Sequence, residues 1–226
     1  MKKKPFIVKA LKKSRNMFRL HVLRDPQLLA HRRWVRARGE STLRLDYPLD
    51  AGSVVVDLGA FRGDFAEAIH ARYGCAVYLF EPVREFFELC EKRFAGEPKV
   101  RCFNYGLMDS DGEMFISDED NASSLVRSGP GKGLEAVQVR DFLDTMDKLG
   151  IGKIDLLKMN IEGGEYLVLP HLIQGAYMEK IRFLQVQFHA FIPGAAALRE
   201  KIRTDLARTH RESWNYAFVW ESWVRL

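Results

Sequence analysis

Four polar side chains in the C-terminal half of the chain have the types and spacing needed to move a proton beside a bound ligand. Lys158, Asn160 and Glu162 stand at alternate positions where a predicted strand ends, and His189 ends the next predicted strand. The carboxyl ends of neighbouring parallel strands lie together at one edge of a sheet. We therefore predict that these residues form a catalytic group, with His189 as the general base that takes a proton from a hydroxyl.

Each of these residues also has a structural interpretation, which the sequence leaves open. Lys158 can pair with Glu162 or Asp57 and hold the edge of the sheet together. His189 can be a buried histidine whose hydrogen bonds are satisfied within the core. Glu162 and Glu165 can complement the dipole at a helix start.

A second group of residues lies in a tight strand-to-helix turn within VVVDLGAFRGDF, residues 54–65. Asp57 ends the strand, Gly59 permits the turn, and Gly63 lets the helix start close to a ligand, with Phe61 between the glycines. The spacing lacks the third glycine of a dinucleotide-binding loop. Asp57 would repel a phosphate but attract a cationic amino group, so the turn favours a zwitterionic amino acid.

The end of the next predicted strand adds a carboxylate. Glu81 stands 24 residues after Asp57 and precedes Pro82, and a carboxylate at this place accepts both hydroxyls of a ribose. Asn104 and Tyr105, one strand further on, fall where an adenine would lie. A ribose beside an amino-acid cation, without a diphosphate, describes S-adenosyl-L-methionine, with S-adenosyl-L-homocysteine as its product. The predicted cofactor-binding residues are Asp57, Gly59, Phe61, Gly63, Glu81, Pro82, Asn104, Tyr105 and Asn160.

These side chains require a sheet that is covered by helices. Short apolar runs alternate with amphipathic stretches, which predicts an α/β fold with a doubly wound, mostly parallel sheet. The predicted strands are residues 53–58, 76–80, 99–104, 113–117, 153–160 and 181–189, and an aromatic hairpin spans 213–226. The predicted helices are 64–73, 84–94, 139–150, 165–175, which Pro170 bends or interrupts, and 195–210, with a surface loop over 118–133.

The net charge of +5 is divided unevenly along the chain. Residues 1–44 contain 14 Lys and Arg against two acidic residues, a charge of +12, which leaves −7 on residues 45–226. We predict a basic helical extension over 1–44 and a cofactor-binding domain over 45–226. Pro26 suits a helix start, and Leu28, Leu29 and Trp34 can dock. The extension either attracts an anionic partner or wraps around the acidic domain.

Composition places limits on the class of protein. A hydrophobic fraction of 47% is that of an ordinary globular protein, and no apolar run approaches the roughly 18 residues that span a bilayer. The N-terminus lacks the continuous apolar centre of a signal peptide. The three cysteines, Cys75, Cys90 and Cys102, have no metal-type spacing and are typical of free thiols in a reducing compartment. We therefore expect a cytoplasmic protein without a metal site.

Several motifs together resemble the FkbM family of S-adenosylmethionine-dependent methyltransferases over about residues 50–190. They are VVVDLGAFRGDF, VYLFEPVREFFE, FNYGLMDSDG, the SSL of 123–125, VRDFLD and, most distinctively, IDLLKMNIEGGEYLVL. The resemblance implies a class I methyltransferase fold, a Rossmann-like sheet of seven strands whose last pair is antiparallel. It also implies O-methylation, in many members of a hydroxyl on a sugar, glycan or natural product.

Two residues depart from the usual pattern of that family. Asn160 stands where an aspartate is typical, and Gln187 stands where a glutamate often precedes the histidine. An amide keeps hydrogen bonds but largely loses proton acceptance and binding of hard metals. We therefore expect that no catalytic Mg²⁺ is needed, and the identity of any base stays open.

Two other functions stay open at this point. The basic extension favours an RNA methyltransferase, although Asn160 is not followed by the Pro-Pro-aromatic motif of base amino methylation and the extension has few aromatics for stacking. The two amide replacements favour a cofactor-binding protein without catalysis. Salt-dependent RNA binding would favour the first alternative, and turnover of the cofactor would remove the second.

Overall fold

The computed structural model describes residues 25–117, 125–126 and 134–226, which form two sheets. The strands are β1 (Val54–Leu58), β2 (Ala76–Phe80), β3 (Val100–Phe103), β4 (Gly106–Met108), β5 (Gly112–Ser117), β6 (Leu125–Val126), β7 (Leu134–Asp141), β8 (Ile154–Met159), β9 (Ile181–Val186), β10 (His210–Tyr216) and β11 (Trp220–Arg225). The helices are α1 (Pro26–Arg36), α2 (Asp64–Tyr73), α3 (Arg84–Arg93), α4 (Phe142–Lys148), α5 (Glu165–Gln174) and α6 (Ala195–Leu206), with a 3-10 helix at Tyr177–Lys180.

The large sheet has seven strands in the order β10-β11-β9-β8-β1-β2-β3. Neighbouring strands from β9 to β3 are parallel, whereas β11 is antiparallel to both β9 and β10. This confirms the prediction of a mostly parallel seven-stranded sheet with an antiparallel pair at the C-terminus. All parallel strands present their carboxyl ends at one edge, which we call the carboxyl edge, and β10 also ends there.

Burial on both faces explains the nearly continuous apolar runs of the central strands. All six residues of β8 are buried, and so are four of the five in β1. One face packs against α2 and α3 through side chains such as Phe65, Ile69 and Cys90. The other face packs against α4, α5, α6 and the small sheet, through a larger cluster that includes Phe142 and Leu169.

The small sheet, in the order β4-β7-β5-β6, contains the strand predicted over 113–117 as β5, whereas its other three strands were not predicted. Residues 139–141, predicted to begin a helix, instead end β7, where Val139 pairs with Gly106 and Gly112. The helix begins at Phe142, because the side chain of Asp141 accepts a hydrogen bond from the amide of Asp144 and caps it. Partners more than 25 residues away decide this boundary, so local periodicity could not find it.

Other boundaries differ by a few residues. The helix predicted for 195–210 ends at Leu206, and the strand predicted for 181–189 ends at Val186. Helix α5 continues through Pro170 without interruption. Of the loop predicted for 118–133, residues 118–124 and 127–133 lie outside the described residues, and 125–126 form a strand.

Helix α1 begins where the side chain of Asp25 accepts hydrogen bonds from the amides of Gln27 and Leu28. Its buried Trp34 packs against Trp214 and Tyr216, with ring centroids 5.6 and 5.1 Å apart. Leu29, which was expected to dock, is exposed. Because Tyr216 ends β10, α1 lies at the carboxyl edge of the large sheet.

The chain that follows α1 is held by buried polar contacts. The Arg44 guanidinium lies over the Trp220 ring and donates to Gln185 Oε1 at 3.0 Å. Gln185 donates in turn to the carbonyl oxygen of Arg44 and to the Tyr47 hydroxyl. Residues 1–24 of the predicted basic extension lie outside the described residues. Among the described residues, no helix is long and apolar enough to cross a membrane.

Candidate functional site

The turn after β1 brings two chain segments into close contact. Gly59 has φ +74°, and a Cβ at this position would lie 2.0 Å from the carbonyl oxygen of Asn160. Gly63 has φ +80°, and its Cβ would lie 2.8 Å from the Phe94 ring. Phe61, between them, also has a positive φ of 54° and exposes 47% of its surface. The glycine spacing therefore permits both the left-handed turn and its contact with the chain after β8.

Glu81 joins the turn after β1 to the turn after β2. Its Oε2 accepts a hydrogen bond from the amide of Phe61 at 2.7 Å, and its Oε1 accepts one from the amide of Val83 at 2.9 Å. Burial raises the pKa of Glu81 to about 7, against the opposing effect of these two bonds. Each carboxylate oxygen keeps a second lone pair, so Glu81 can also accept hydrogen bonds from hydroxyl groups of a ligand.

Lys158 pairs with Asp57 and not with Glu162. Its Nζ lies 2.7 Å from Asp57 Oδ1, donates to the carbonyl oxygen of Gly59 at 2.8 Å, and lies 3.4 Å from that of Leu58. Both side chains are buried. Burial lowers the pKa of Lys158, whereas Asp57 raises it. The ammonium therefore holds the end of β1 and the turn that follows.

Two buried oxygens at this edge lack partners among the described residues. They are Oδ2 of Asp57 and Oδ1 of Asn160. The backbone amide of Asn160 donates to the carbonyl oxygen of Leu58 at 3.0 Å, which fixes Asn160 beside β1. A buried acceptor without a donor is costly, so both atoms fit a ligand that brings a cationic donor.

The remaining predicted cofactor residues are Pro82, which follows Glu81 after β2, and Asn104 and Tyr105, which follow β3. The Asn104 side-chain amide donates to the carbonyl oxygens of Glu81 and Pro82, at 3.1 Å each. Tyr105 packs against Phe80, and the Arg140 guanidinium lies 4.2 Å from its ring centroid. The structure thus brings Asn104 and Pro82 next to Glu81, while Tyr105 lies partly buried between a core ring and a cation.

His189 lies between two carboxylates. Its Nδ1 lies 2.9 Å from Glu165 Oε1, its Nε2 lies 3.3 Å from Glu162 Oε2, and its backbone amide donates to Glu165 Oε1 at 2.7 Å. Burial alone would lower the pKa of His189, but hydrogen bonds to the two carboxylates outweigh burial and raise it to about 9. The two carboxylates therefore favour the imidazolium form of the ring at neutral pH.

Glu165 is the member of this cluster whose role the sequence did not assign beyond the helix start. It is fully buried, and its Oε2 accepts from the amide of Gly163 at 2.9 Å. Its contact with His189 joins residues 24 positions apart. The available signal was the spacing Glu162-x-x-Glu165 directly after a buried strand, which places both carboxylates in one turn.

No group of three or more His, Cys, Asp or Glu side chains in the described parts of the chain is arranged to hold a metal ion. The three cysteines are free, with Cys75 and Cys90 buried. Gln187 donates its backbone amide to the carbonyl oxygen of Met159, next to Asn160, at 3.0 Å. Asn160 and Gln187, the two amides that depart from the family pattern, therefore directly follow the neighbouring strands β8 and β9 at the carboxyl edge.

Comparisons with known proteins agree with this architecture. The methyltransferase FkbM domain matches residues 57–216 of the chain, whereas no curated protein matches it. A proposed rRNA methylase from Clostridium thermocellum is similar in structure, with 10% identity, a TM-score of 0.50, and coverage of 84% of this chain and 97% of that one. Precorrin-6y C5,15-methyltransferase from Geobacter metallireducens has 8% identity, a TM-score of 0.45, and coverage of 79% and 73%. The fold is that of class I methyltransferases, and the chain belongs to the FkbM methyltransferase family.

Proposed function

We propose that this protein is an S-adenosylmethionine-dependent O-methyltransferase that acts on a hydroxyl of a sugar, glycan or natural product. One observation supports this proposal above the others. The turn from Asn160 to Glu165 contributes the unpartnered Asn160 Oδ1 beside the Gly59 turn, and the Glu162 and Glu165 carboxylates beside His189. The proposed site for a cationic ligand and the proposed site for proton transfer would therefore share six consecutive residues.

The residues that would hold the cofactor fit its parts. Glu81 would accept the ribose hydroxyls, and Asp57 and Asn160 would accept from the amino group through their free oxygens. Asn104 and Tyr105 would line the adenine. When bound, S-adenosylmethionine supplies an electrophilic methyl group, and S-adenosylhomocysteine remains after transfer.

The chain itself contributes orientation and proton transfer. Lys158 holds the Gly59 turn in place through its contacts with Asp57 and the Gly59 carbonyl oxygen. A methyl donor needs little beyond an aligned nucleophile, so most of the rate would come from positioning. A hydroxyl nucleophile also needs a proton acceptor, and we assign this role to the cluster of carboxylates around His189, which follows directly on the turn that contains Asn160. A cytoplasmic location, in keeping with three free cysteines, is part of the proposal.

Calorimetry and a turnover assay test the proposed function. We expect binding of S-adenosylmethionine and S-adenosylhomocysteine but not of NAD. Incubation of isotopically methyl-labelled cofactor with monosaccharides, sugar nucleotides and phenolic glycosides should transfer label to one class. Binding of NAD without binding of S-adenosylmethionine would refute the cofactor assignment, and binding without transfer to any hydroxyl would favour a non-catalytic protein.

RNA is a second candidate acceptor because of one specific observation. Arg32, Arg33, Arg36 and Arg38 are exposed on and after α1, and none forms an ion pair with a carboxylate of the described residues. The Arg33 guanidinium lies over the Tyr216 ring. Binding of a single-stranded RNA oligomer that weakens steeply with salt, together with labelling of that RNA, would favour this candidate over a sugar.

A further inference from the structure

Glu165, His189 and Glu162 form a row that leads from the interior to the surface. Their side chains expose 0%, 9% and 26% of their surface, in that order. Glu165 is fixed at the buried end by three donors, which are the amides of Gly163 and His189 and the ring Nδ1 of His189. The row is therefore anchored in the core and ends at the partly exposed carboxylate of Glu162.

The two carboxylates determine the protonation of the ring between them. A neutral imidazole carries one N–H, but both ring nitrogens of His189 face a carboxylate oxygen. Only the doubly protonated ring donates to both. Glu162 and Glu165 are the charged side chains that contact the ring, and an imidazolium has no lone pair with which to accept a proton. The geometry thus favours a protonated ring and disfavours His189 as the proton acceptor at neutral pH.

Glu162 keeps a free acceptor. Its Oε2 contacts His189, while its Oε1 has no partner among the described residues. The residue adopts φ +50°, and the following Gly163 adopts φ +101°, where a Cβ would lie 2.6 Å from Ile192. This left-handed turn costs conformational energy, and it places the Glu162 carboxylate beside His189, whose ring centroid lies 5.4 Å from that of the exposed Phe191.

We propose that Glu162 accepts the hydroxyl proton during methyl transfer, and that the His189 imidazolium, positioned by Glu165, orients the Glu162 carboxylate. This inference rests on the proposed O-methyltransferase function. The hydroxyl oxygen forms a bond to the methyl carbon, the carbon–sulfur bond breaks, and its electron pair stays on sulfur. The hydroxyl proton moves to Glu162 and then to water. Glu162 is the catalytic residue, while His189 and Glu165 are positioning residues.

Nuclear magnetic resonance of 15N-labelled histidine tests the protonation state without any acceptor. We expect both ring nitrogens of His189 to be protonated at pH 7.5 in the wild-type protein. Glu165→Gln should shift the titration of His189 to lower pH, because one negative partner is lost. Glu179→Gln, an exposed glutamate that precedes β9 at the opposite edge, should leave it unchanged. A neutral His189 ring at pH 7.5 in the wild-type protein would overturn the proposal.

Steady-state kinetics test the proton transfer itself. The substrate is the hydroxyl compound that becomes labelled in the turnover assay. Glu162→Gln should lower kcat about 100-fold or more, with an unchanged Kd for S-adenosylmethionine and an unchanged circular dichroism spectrum. Wild-type kcat should be level between about pH 6.5 and 8.5, whereas a neutral histidine base would make it rise toward pH 9. A wild-type kcat in Glu162→Gln, or a rate that rises with His189 deprotonation, would overturn the proposal.

These outcomes separate the inference from the proposed function. If S-adenosylmethionine does not bind, the proposed function fails whatever the state of His189. If it binds and a hydroxyl is methylated while Glu162→Gln keeps full activity, the function stands and the assignment of the base is wrong. Glu162→Asp provides a second variant, which should retain part of the activity because it keeps a carboxylate.

Discussion

The Nζ of Lys158 lies 2.7 Å from Oδ1 of Asp57, and both side chains are buried where two neighbouring strands end. The same ammonium donates to the carbonyl oxygen of Gly59. One cation thus neutralises the carboxylate and fixes the turn that contacts Asn160. The pair therefore holds in place the turn that forms part of the candidate cofactor site.

Loss of this ammonium should destabilise the protein strongly. Lys158→Met leaves the Asp57 carboxylate buried without its counter-charge, which should lower the free energy of unfolding by about 3–5 kcal/mol. Lys148→Met is a matched control, because Lys148 and its partner Asp144 are exposed, and should change it by less than about 1 kcal/mol. Urea unfolding followed by circular dichroism measures both. Equal stabilities for the two variants would contradict a structural role for the pair.

Glu81 should contribute directly to cofactor affinity. Glu81→Ala removes the proposed acceptor for the ribose hydroxyls, which also accepts from two backbone amides, and should weaken binding of S-adenosylmethionine by about 1–3 kcal/mol. Glu88→Ala changes an exposed glutamate on α3 and should leave the affinity unchanged. Isothermal titration calorimetry gives both constants. An unaltered Kd in Glu81→Ala would show that the ribose binds elsewhere.

Stability should fall as pH rises from about 6.5 to 9. The pKa of His189 is raised from 6.5 to about 9 in the folded protein, so its stabilising contribution is complete below pH 6.5 and is lost as pH passes the folded value. The shift corresponds to about 3 kcal/mol. His189→Gln should remove this slope, whereas replacement of the exposed His31 should not. The measurement is the free energy of unfolding at several pH values between 6.5 and 9. A wild-type free energy that does not change over this range would contradict the ion pairs of His189.

Activity should survive removal of divalent metals. Asn160 and Gln187 present amides at the edge where carboxylates would bind Mg²⁺. We expect an unchanged turnover rate in EDTA. Asn160→Asp is the complementary variant, and it should create a metal dependence that the wild-type protein lacks. Loss of wild-type turnover in EDTA that Mg²⁺ restores would refute this expectation.

The exposed arginines on α1 and directly after it should assist binding of an anionic acceptor. Replacement of Arg32, Arg33, Arg36 and Arg38 by Gln should raise KM for a phosphorylated acceptor, and the increase should shrink at high salt because screening already weakens the attraction. Arg208→Gln and Arg211→Gln, at the opposite end of β10, are controls of like charge. Deletion of residues 1–25 should leave cofactor affinity unchanged. An unchanged KM in the quadruple variant would assign these arginines to the solvated surface.

Local patterns predicted most of the large sheet and the glycine turn that follows β1. The apolar runs of β1, β8 and β9 are buried on both faces, so their sequence alone distinguishes them. The small sheet was different, because β4 and β7 pair across more than 30 residues and the segment between them is polar. Short strands that depend on distant partners have a weak local signal.

The sequence alone determined which residues follow the ends of β1, β2 and β8, because a buried apolar run that stops at glycine or at a polar residue leaves a local pattern. Gly59, Glu81 and Asn160 belong to this class. Only the tertiary structure decided which charges pair. Lys158 had two possible carboxylate partners and contacts Asp57, and His189 contacts Glu165 across 24 positions. Such contacts depend on the register between strands, which sets the distance between two charges, and on burial, which sets the local dielectric. Neither the distance nor the dielectric can be read from the local spacing of residues.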